Sequence, residues 1–171
     1  MTIEKPKAED APKYYQNYLS LISENNLADA LQNSMNNTLK FISSIPKEKE
    51  EHRYAEGKWT VKEVFGHIID CERILAYRAT RFSRKDSTDL PGFEQDNYAP
   101  NANTSQRTLA EMADEYKAVR QASIALFSYM TPDMLDFKGT ANKTVVTARS
   151  IGWFIAGHDI HHCKVIKERY L

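Results

Sequence analysis

Apolar residues recur at three- and four-residue spacing in four long stretches of the chain, which predicts four amphipathic helices. In the first, Leu27, Leu31, Met35, Thr38, Leu39 and Ile42 share one face between Leu27 and Ser44. Pro46 and the charged run KEKEEHR then end it. KWTVKE opens the second: Thr60 is a good N-cap, Glu63 completes the capping-box pattern, and Val61 starts a stripe. That stripe continues through Val64, Phe65, Ile68, Cys71, Leu75 and Phe82 to about Arg84. The third runs from about Thr108 to Met130, with Leu109, Met112, Tyr116, Val119, Ser123, Leu126 and Phe127 near one face. The fourth starts near Thr147 and reaches the C-terminus, and Thr131-Pro132 caps a short extra helix through Leu135.

Between these stretches the pattern breaks. Some 20 polar residues follow the second helix, with PGF at Pro91–Phe93 and a further Pro100. A plain loop of that length is uncommon inside a compact domain, so an ordered loop that covers something is expected. FKGTANKT reads as a turn-rich link, and TVV at Thr144–Val146 as too short for a strand. YYQNYLSLI, Tyr14–Ile22, reads as a helical turn or a segment packed on the body, and residues 1–13 as a flexible tail. The fold class is therefore all-α: an antiparallel four-helix bundle with a short extra helix and a long ordered loop, one domain over 14–171.

Composition narrows the function. A chain of 171 residues can bury a real core. Lys+Arg and Asp+Glu both number 23, and a neutral chain lacks the basic footprint of a nucleic-acid binder. No apolar run is long enough to span a membrane. Two cysteines, Cys71 and Cys163, form neither a CxxC nor a disulfide framework, so a reducing, cytoplasmic setting is the default.

The candidate chemistry lies in histidine. Three of the five imidazoles fall within GHDIHHCKV, Gly157–Val165. At 100° per residue with Ile151 at zero, His158 lies at about −20° and His162 at about +20°, mid-stripe, while His161 lies at about −80°. Two imidazoles thus aim at the bundle axis from successive turns, and a buried polar ring needs a partner. A shared metal ion is one; hydrogen bonding as a core pair is the other. On the second helix His67 falls at about −60° from Val64, able to look inward as a third ligand or to remain a core-edge histidine. Three neutral imidazoles suit zinc, nickel, copper or iron(II), and three protein ligands leave one position open, as in catalytic sites. His161 reads as a flanking group, His52 as a surface residue and Cys71 as a buried apolar thiol. Cys163 turns away from the stripe. Arg73, Arg78, Arg81 and Arg84 read as a solvated face, and helix geometry turns Glu63 and Asp70 partly aside.

GKWTVKEVFGHIIDCERILAYRATR, LPGFEQDNY and AGHDIHHCKVIKERYL together resemble the DinB-like superfamily of metal-binding four-helix bundles, in its YfiT-like branch. The resemblance covers roughly Leu27 to Leu171. It implies a three-histidine site of His67, His158 and His162 holding a divalent transition metal, most often zinc or nickel, and a possible homodimer. Members include enzymes that join low-molecular-weight thiols to electrophiles, and others similar to metal-dependent hydrolases or isomerases.

A metal-dependent transferase or hydrolase acting on small molecules is the expected function, the partner being a substrate such as a low-molecular-weight thiol. The loop around Pro91–Tyr98 would wall the pocket. Two other classes compete with it: a bundle clipped by a structural metal, with a fourth ligand such as Cys71, and a protein-interaction module.

Overall fold

A computed structural model describes residues 2–171. Among these residues seven α-helices occur: α1 Gln16–Leu19, α2 Leu27–Ser44, α3 Val61–Ser83, α4 Gln95–Asn101, α5 Leu109–Ser128, α6 Pro132–Asp136 and α7 Ala148–Arg169. Capping boxes start three of the long ones. Thr60 and Glu63 begin α3, Thr108 and Glu111 begin α5, and Thr147 and Ser150 begin α7. Each satisfies backbone N–H groups that a helix start leaves bare, and so sets the register of the stripe that follows.

The four long helices close into a ring. α2 packs on α7, α7 on α3, α3 on α5 and α5 on α2. Their apolar stripes meet in two clusters. One, around Leu27, Leu31, Phe82, Phe127 and Ile151, fills one end of the bundle. The other, around Ile42, Val64, Phe65, Met112 and Ile166, fills the opposite end. No helix among the described residues is long and apolar enough to cross a membrane.

Helix directions differ from the expected antiparallel arrangement. Along α3, Gly66, Glu72 and Arg73 face Met112, Arg120 and Glu115 of α5, the two chains advancing together. Along α2, Leu27 faces Gly152 and Thr38 meets Asp159 and Cys163, so α2 and α7 also run parallel. The other two neighbours oppose each other: Leu31 and Thr38 of α2 share partners with Arg120 and Tyr116 of α5 in descending order. On α3 and α7, His67 meets His158 and His162, while Phe82 packs on Gly139 just before α7. Two ring contacts are parallel and two antiparallel.

That arrangement accounts for the long connection. A 23-residue helix is about 34 Å long, and α5 can run parallel to α3 only if the chain first returns that distance. Residues 84–108 make the return along the outside of α3. Leu90 bridges to Ala141 near the end of α3, and Lys62 at its start donates to the Ser105 and Arg107 carbonyls. α4 forms within this crossover.

A small sheet corrects the strand-free expectation. Lys138–Ala141 (β1) and Thr144–Thr147 (β2) pair antiparallel, turning through Asn142 and Lys143 at positive φ. Four residues per strand give too weak a pattern to read alone; burial of Val146 and Ala141 and the packing of Gly139 on Phe82 stabilise the hairpin. The segment expected as a flexible tail lies against the body. Ile3 is buried and its carbonyl accepts from Leu27 N, while the Glu4 carbonyl accepts from Trp153 Nε1.

Candidate metal centre

His67 stands on the second turn of α3, at a depth set by the Thr60–Glu63 cap. The crossover presses against this turn. A Cβ at Gly66 would lie 2.8 Å from Thr104 Cγ2, so only glycine lets the returning chain pack beside His67. On α7 the equivalent device is Gly157, where a Cβ would sit 2.4 Å from the Tyr18 carbonyl oxygen. α1 is therefore seated directly on α7 one residue before His158. Tyr15, just before α1, builds a wall there: it stacks on Phe154 at 4.2 Å between ring centroids, and Phe154 stacks on His158 at 5.3 Å.

The three expected histidines come together. His67 Nε2 lies 3.2 Å from His158 Nε2, and His162 Nε2 lies 3.1 Å from the same atom. His67 and His158 are buried and His162 is half-buried. Trp59 covers His67 with its ring centroid 4.9 Å away.

Burial drives the His67 pKa down to about 4, with the Asp96 carboxylate pulling the other way. Burial, then His67 and His161, lowers His162 to about 3. His158 is pushed well below the ordinary value by burial and then by its two neighbours. All three rings are neutral near pH 7.

A neutral ring nitrogen offers one proton or one lone pair in the ring plane, so His158 Nε2 cannot make a sound hydrogen bond to both neighbours. Lone pairs brought this close to His158 Nε2 repel one another unless a cation lies among them. Two nitrogens each about 2.05 Å from a tetrahedral ion stand about 3.3 Å apart, close to both observed separations. The donor set therefore fits a borderline divalent cation.

Cys71 lies closer to this centre than a plain core thiol would. Its sulfur and ring nitrogens of His67 and His158 all lie within 4.8 Å of one another. Burial pushes the thiol up to about 12. The signal was present in the sequence, since Cys71 follows His67 by four residues on one helix face. His161 stays at the flank, half-buried, its ring edge-on to Tyr18 at 5.1 Å. His52, expected at the surface, is half-buried against Tyr170. Glu63 serves the cap and pairs with Arg53 at 2.8 Å.

A cavity of about 580 Å³ opens beside His162, lined among others by Arg53, Trp59, Gln95, Asp96 and Pro100. The expected wall is thus split: Gln95, Asp96 and Pro100 face this cavity, while Pro91, Phe93 and Tyr98 line another.

A buried polar layer next to the histidines escaped the sequence reading. Arg120 grips Glu72 through Nε at 2.8 Å and Nη2 at 2.9 Å, and reaches Asp159 at 3.0 Å. Its Nη1 donates to Ser34 Oγ at 2.6 Å and to the Leu31 carbonyl. Tyr116 and Thr38 also donate to Asp159. The layer lies between the two apolar clusters and ties α2, α3, α5 and α7 together, with Asp159 adjacent to His158. An arginine inside a helical stripe reads as exposed, and no pattern flags it as core.

Comparison with known proteins agrees with this architecture. A family model described as the DinB superfamily matches residues 30–166. A protein of Oceanobacillus iheyensis named as a candidate metal-dependent hydrolase is 25% identical over 130 residues, 74% of this chain and 73% of its own length. Among solved structures, YfiT from Bacillus subtilis matches with a TM-score of 0.70 at 14% identity, over 96% of this chain and 90% of that one. It is described as a candidate metal-dependent hydrolase with an unusual four-helix bundle topology. A mycothiol-dependent maleylpyruvate isomerase matches with a TM-score of 0.65 at 14% identity, over 91% of this chain and 61% of that one. At such identity the structural matches speak for the fold alone.

Proposed function

The chain belongs to the DinB superfamily, and from that premise we propose that it is a metal-dependent enzyme acting on small molecules. His67, His158 and His162 hold a divalent ion, zinc or nickel. The observation that carries this reading is the approach of two imidazole nitrogens to His158 Nε2 at 3.1 and 3.2 Å inside an apolar bundle. When bound, such an ion supplies Lewis acidity and lowers the pKa of a water or thiol beside it.

The chain's own residues supply the rest. Burial keeps the three rings unprotonated, which leaves their lone pairs free for coordination at neutral pH. Trp59 shields the His67 side from water. The cavity beside His162 admits a small molecule, and Arg53, Lys58, Glu63 and Asp96 give its lining charges of both signs. The reaction is transfer of a low-molecular-weight thiol to an electrophile, or hydrolysis; the hydrolase name of the Oceanobacillus protein supports the second, and the mycothiol dependence of the similarly folded isomerase supports a thiol as the small-molecule partner. The direct test is elemental analysis of untagged protein, then turnover with a panel of thiols and electrophiles. Absence of stoichiometric metal would overturn the reading at its root, and metal without turnover across the panel would overturn its enzymatic part.

A second reading rests on Cys71. With its sulfur within 4.8 Å of the His67 and His158 nitrogens, it could close the coordination sphere and make the ion a structural clip. Burial raises the thiol to about 12 in the metal-free chain, and a cation that Cys71 coordinated would bring it down, so the two readings part on the spectrum of the metal-loaded protein.

A further inference from the structure

Arg78, three turns beyond His67 on α3, is a buried cation with no acid partner among the described residues. Only 9% of it is exposed. Its single hydrogen bond among the described residues runs from Nη2 to the Pro91 carbonyl at 2.7 Å, and no carboxylate lies within ion-pair distance. The neighbouring arginines differ: Arg73 pairs with Glu115 and Arg81 with Asp86. A guanidinium carries five N–H donors in a planar fork, so most of those of Arg78 lack a protein acceptor. Among the described residues no fully buried side-chain nitrogen lacks a partner, so the free donors of Arg78 keep an opening outward.

That opening is a cavity of about 340 Å³ between α3 and the crossover, where Ile74, Tyr77, Leu90, Phe93 and Tyr98 line it beside Arg78. Its wall is mainly apolar, and the Phe93 and Tyr98 rings lie 5.2 Å apart. Burying a charge in such surroundings is costly unless it is paired. The fork of a guanidinium matches the two oxygens of a carboxylate, and its apolar surroundings match a ring or alkyl body. We propose that this cavity is a binding site for small organic carboxylates with an apolar body, anchored by Arg78. It contains no histidine, and α4 contributes Tyr98 to it but Gln95, Asp96 and Pro100 to the cavity beside His162.

The test titrates ¹⁵N-labelled full-length protein, with its native metal content and in phosphate-free buffer, with phenylacetate and with the neutral phenylacetamide. Phenylacetate is expected to shift amides of Ile74–Arg78 and Leu90–Phe93 and to bind at least about tenfold more tightly than the amide, the scale of one charged hydrogen-bonded pair. Arg78→Gln removes that preference and leaves metal content unchanged. Equal affinities, shifts confined to the His158 region, or retained preference in a folded Arg78→Gln protein would overturn the assignment. Stronger competition by inorganic phosphate would reassign the site to phosphate ligands. If Arg78→Gln does not fold, the acid-to-amide ratio on the wild-type chain decides, and it does so whether or not the metal reading holds.

Discussion

Arg120 of α5 and Asp159 of α7 form an ion pair of 3.0 Å in which neither side chain is exposed to solvent. The residue beside Asp159 is His158, so the pair also fixes how far α7 is rotated where it presents an imidazole. Glu72, at the same level on α3, is held by two further Arg120 bonds. Removing the shared cation leaves two buried carboxyl groups without it. Arg120→Met is therefore expected to lower stability by about 3–5 kcal/mol. Changing Arg120 and Glu72 together to Met and Leu recovers a good part of that loss. Urea midpoints of the metal-free proteins read both, and a loss under about 1 kcal/mol in the single variant would show the layer to be dispensable.

His158 Nε2 is the atom that both other imidazoles approach, whereas His161 touches only the flank. His158→Ala is expected to lose stoichiometric metal, and His161→Ala to retain it. Elemental analysis of untagged variants after dialysis checks this. Equal loss in both would assign His161 to the ligand set.

The lowered histidine pKa values predict how the metal-free protein responds to acid. The unfolded chain takes up protons at these positions near pH 6.5, while folded His67 waits until about 4 and His162 until about 3. Between those limits the unfolded state binds more protons, so stability falls as the pH falls. The slope is about 1.4 kcal/mol per pH unit for each histidine below 6.5. His67→Phe is expected to flatten it. Denaturant titrations of the metal-free protein from pH 7 to pH 4.5 would expose a pH-independent stability, the outcome that contradicts the geometry.

What could be read from the chain follows from where each signal resides. The starts of α3 and α7 were legible because Thr60 with Glu63, and Thr147 before its apolar stripe, are local patterns. That His158 and His162 share one face was legible because helix rotation is a simple function of residue number, whereas His67 stood at the edge of its stripe and joined them through the family resemblance. Helix direction was not, since an apolar stripe reads the same whichever way its helix runs. The parallel pairing of α3 with α5 could have been drawn from the length of residues 84–108 alone. Arg120 and Glu72 stayed hidden because burial of a charge depends on partners from three other helices. Cys71 is the buried apolar thiol its stripe position implies, and it also lies close to two imidazoles, which its spacing of four residues from His67 allowed.

Cys71 also separates the two kinds of metal site. In the open arrangement no cation binds the thiol, and burial, which raises it to about 12, leaves it protonated. Cobalt-loaded protein is then expected to lack the intense near-ultraviolet charge-transfer band of a metal thiolate, and Cys71→Ser to keep its metal. A strong band that disappears in Cys71→Ser would mean a closed, four-ligand clip.

Gly157 tests whether the α1 wall matters to the centre. A methyl group there meets the Tyr18 carbonyl carbon at 2.7 Å and its oxygen at 2.4 Å, and backbone cannot rotate aside as a side chain can. Gly157→Ala must therefore lift α1 from α7, pulling Tyr18 and Tyr15 away from Phe154 and His158. The expected cost is about 1–3 kcal/mol, the range for overpacking a close contact. Because this wall shields His158 rather than supplying a ligand, metal stoichiometry is expected to survive while His158 gains solvent access. Diethyl pyrocarbonate labelling of the metal-free protein, mapped by mass spectrometry, reads that access directly. Unchanged labelling of His158 alongside a lowered melting temperature would mean that α1 holds the bundle together without guarding the site.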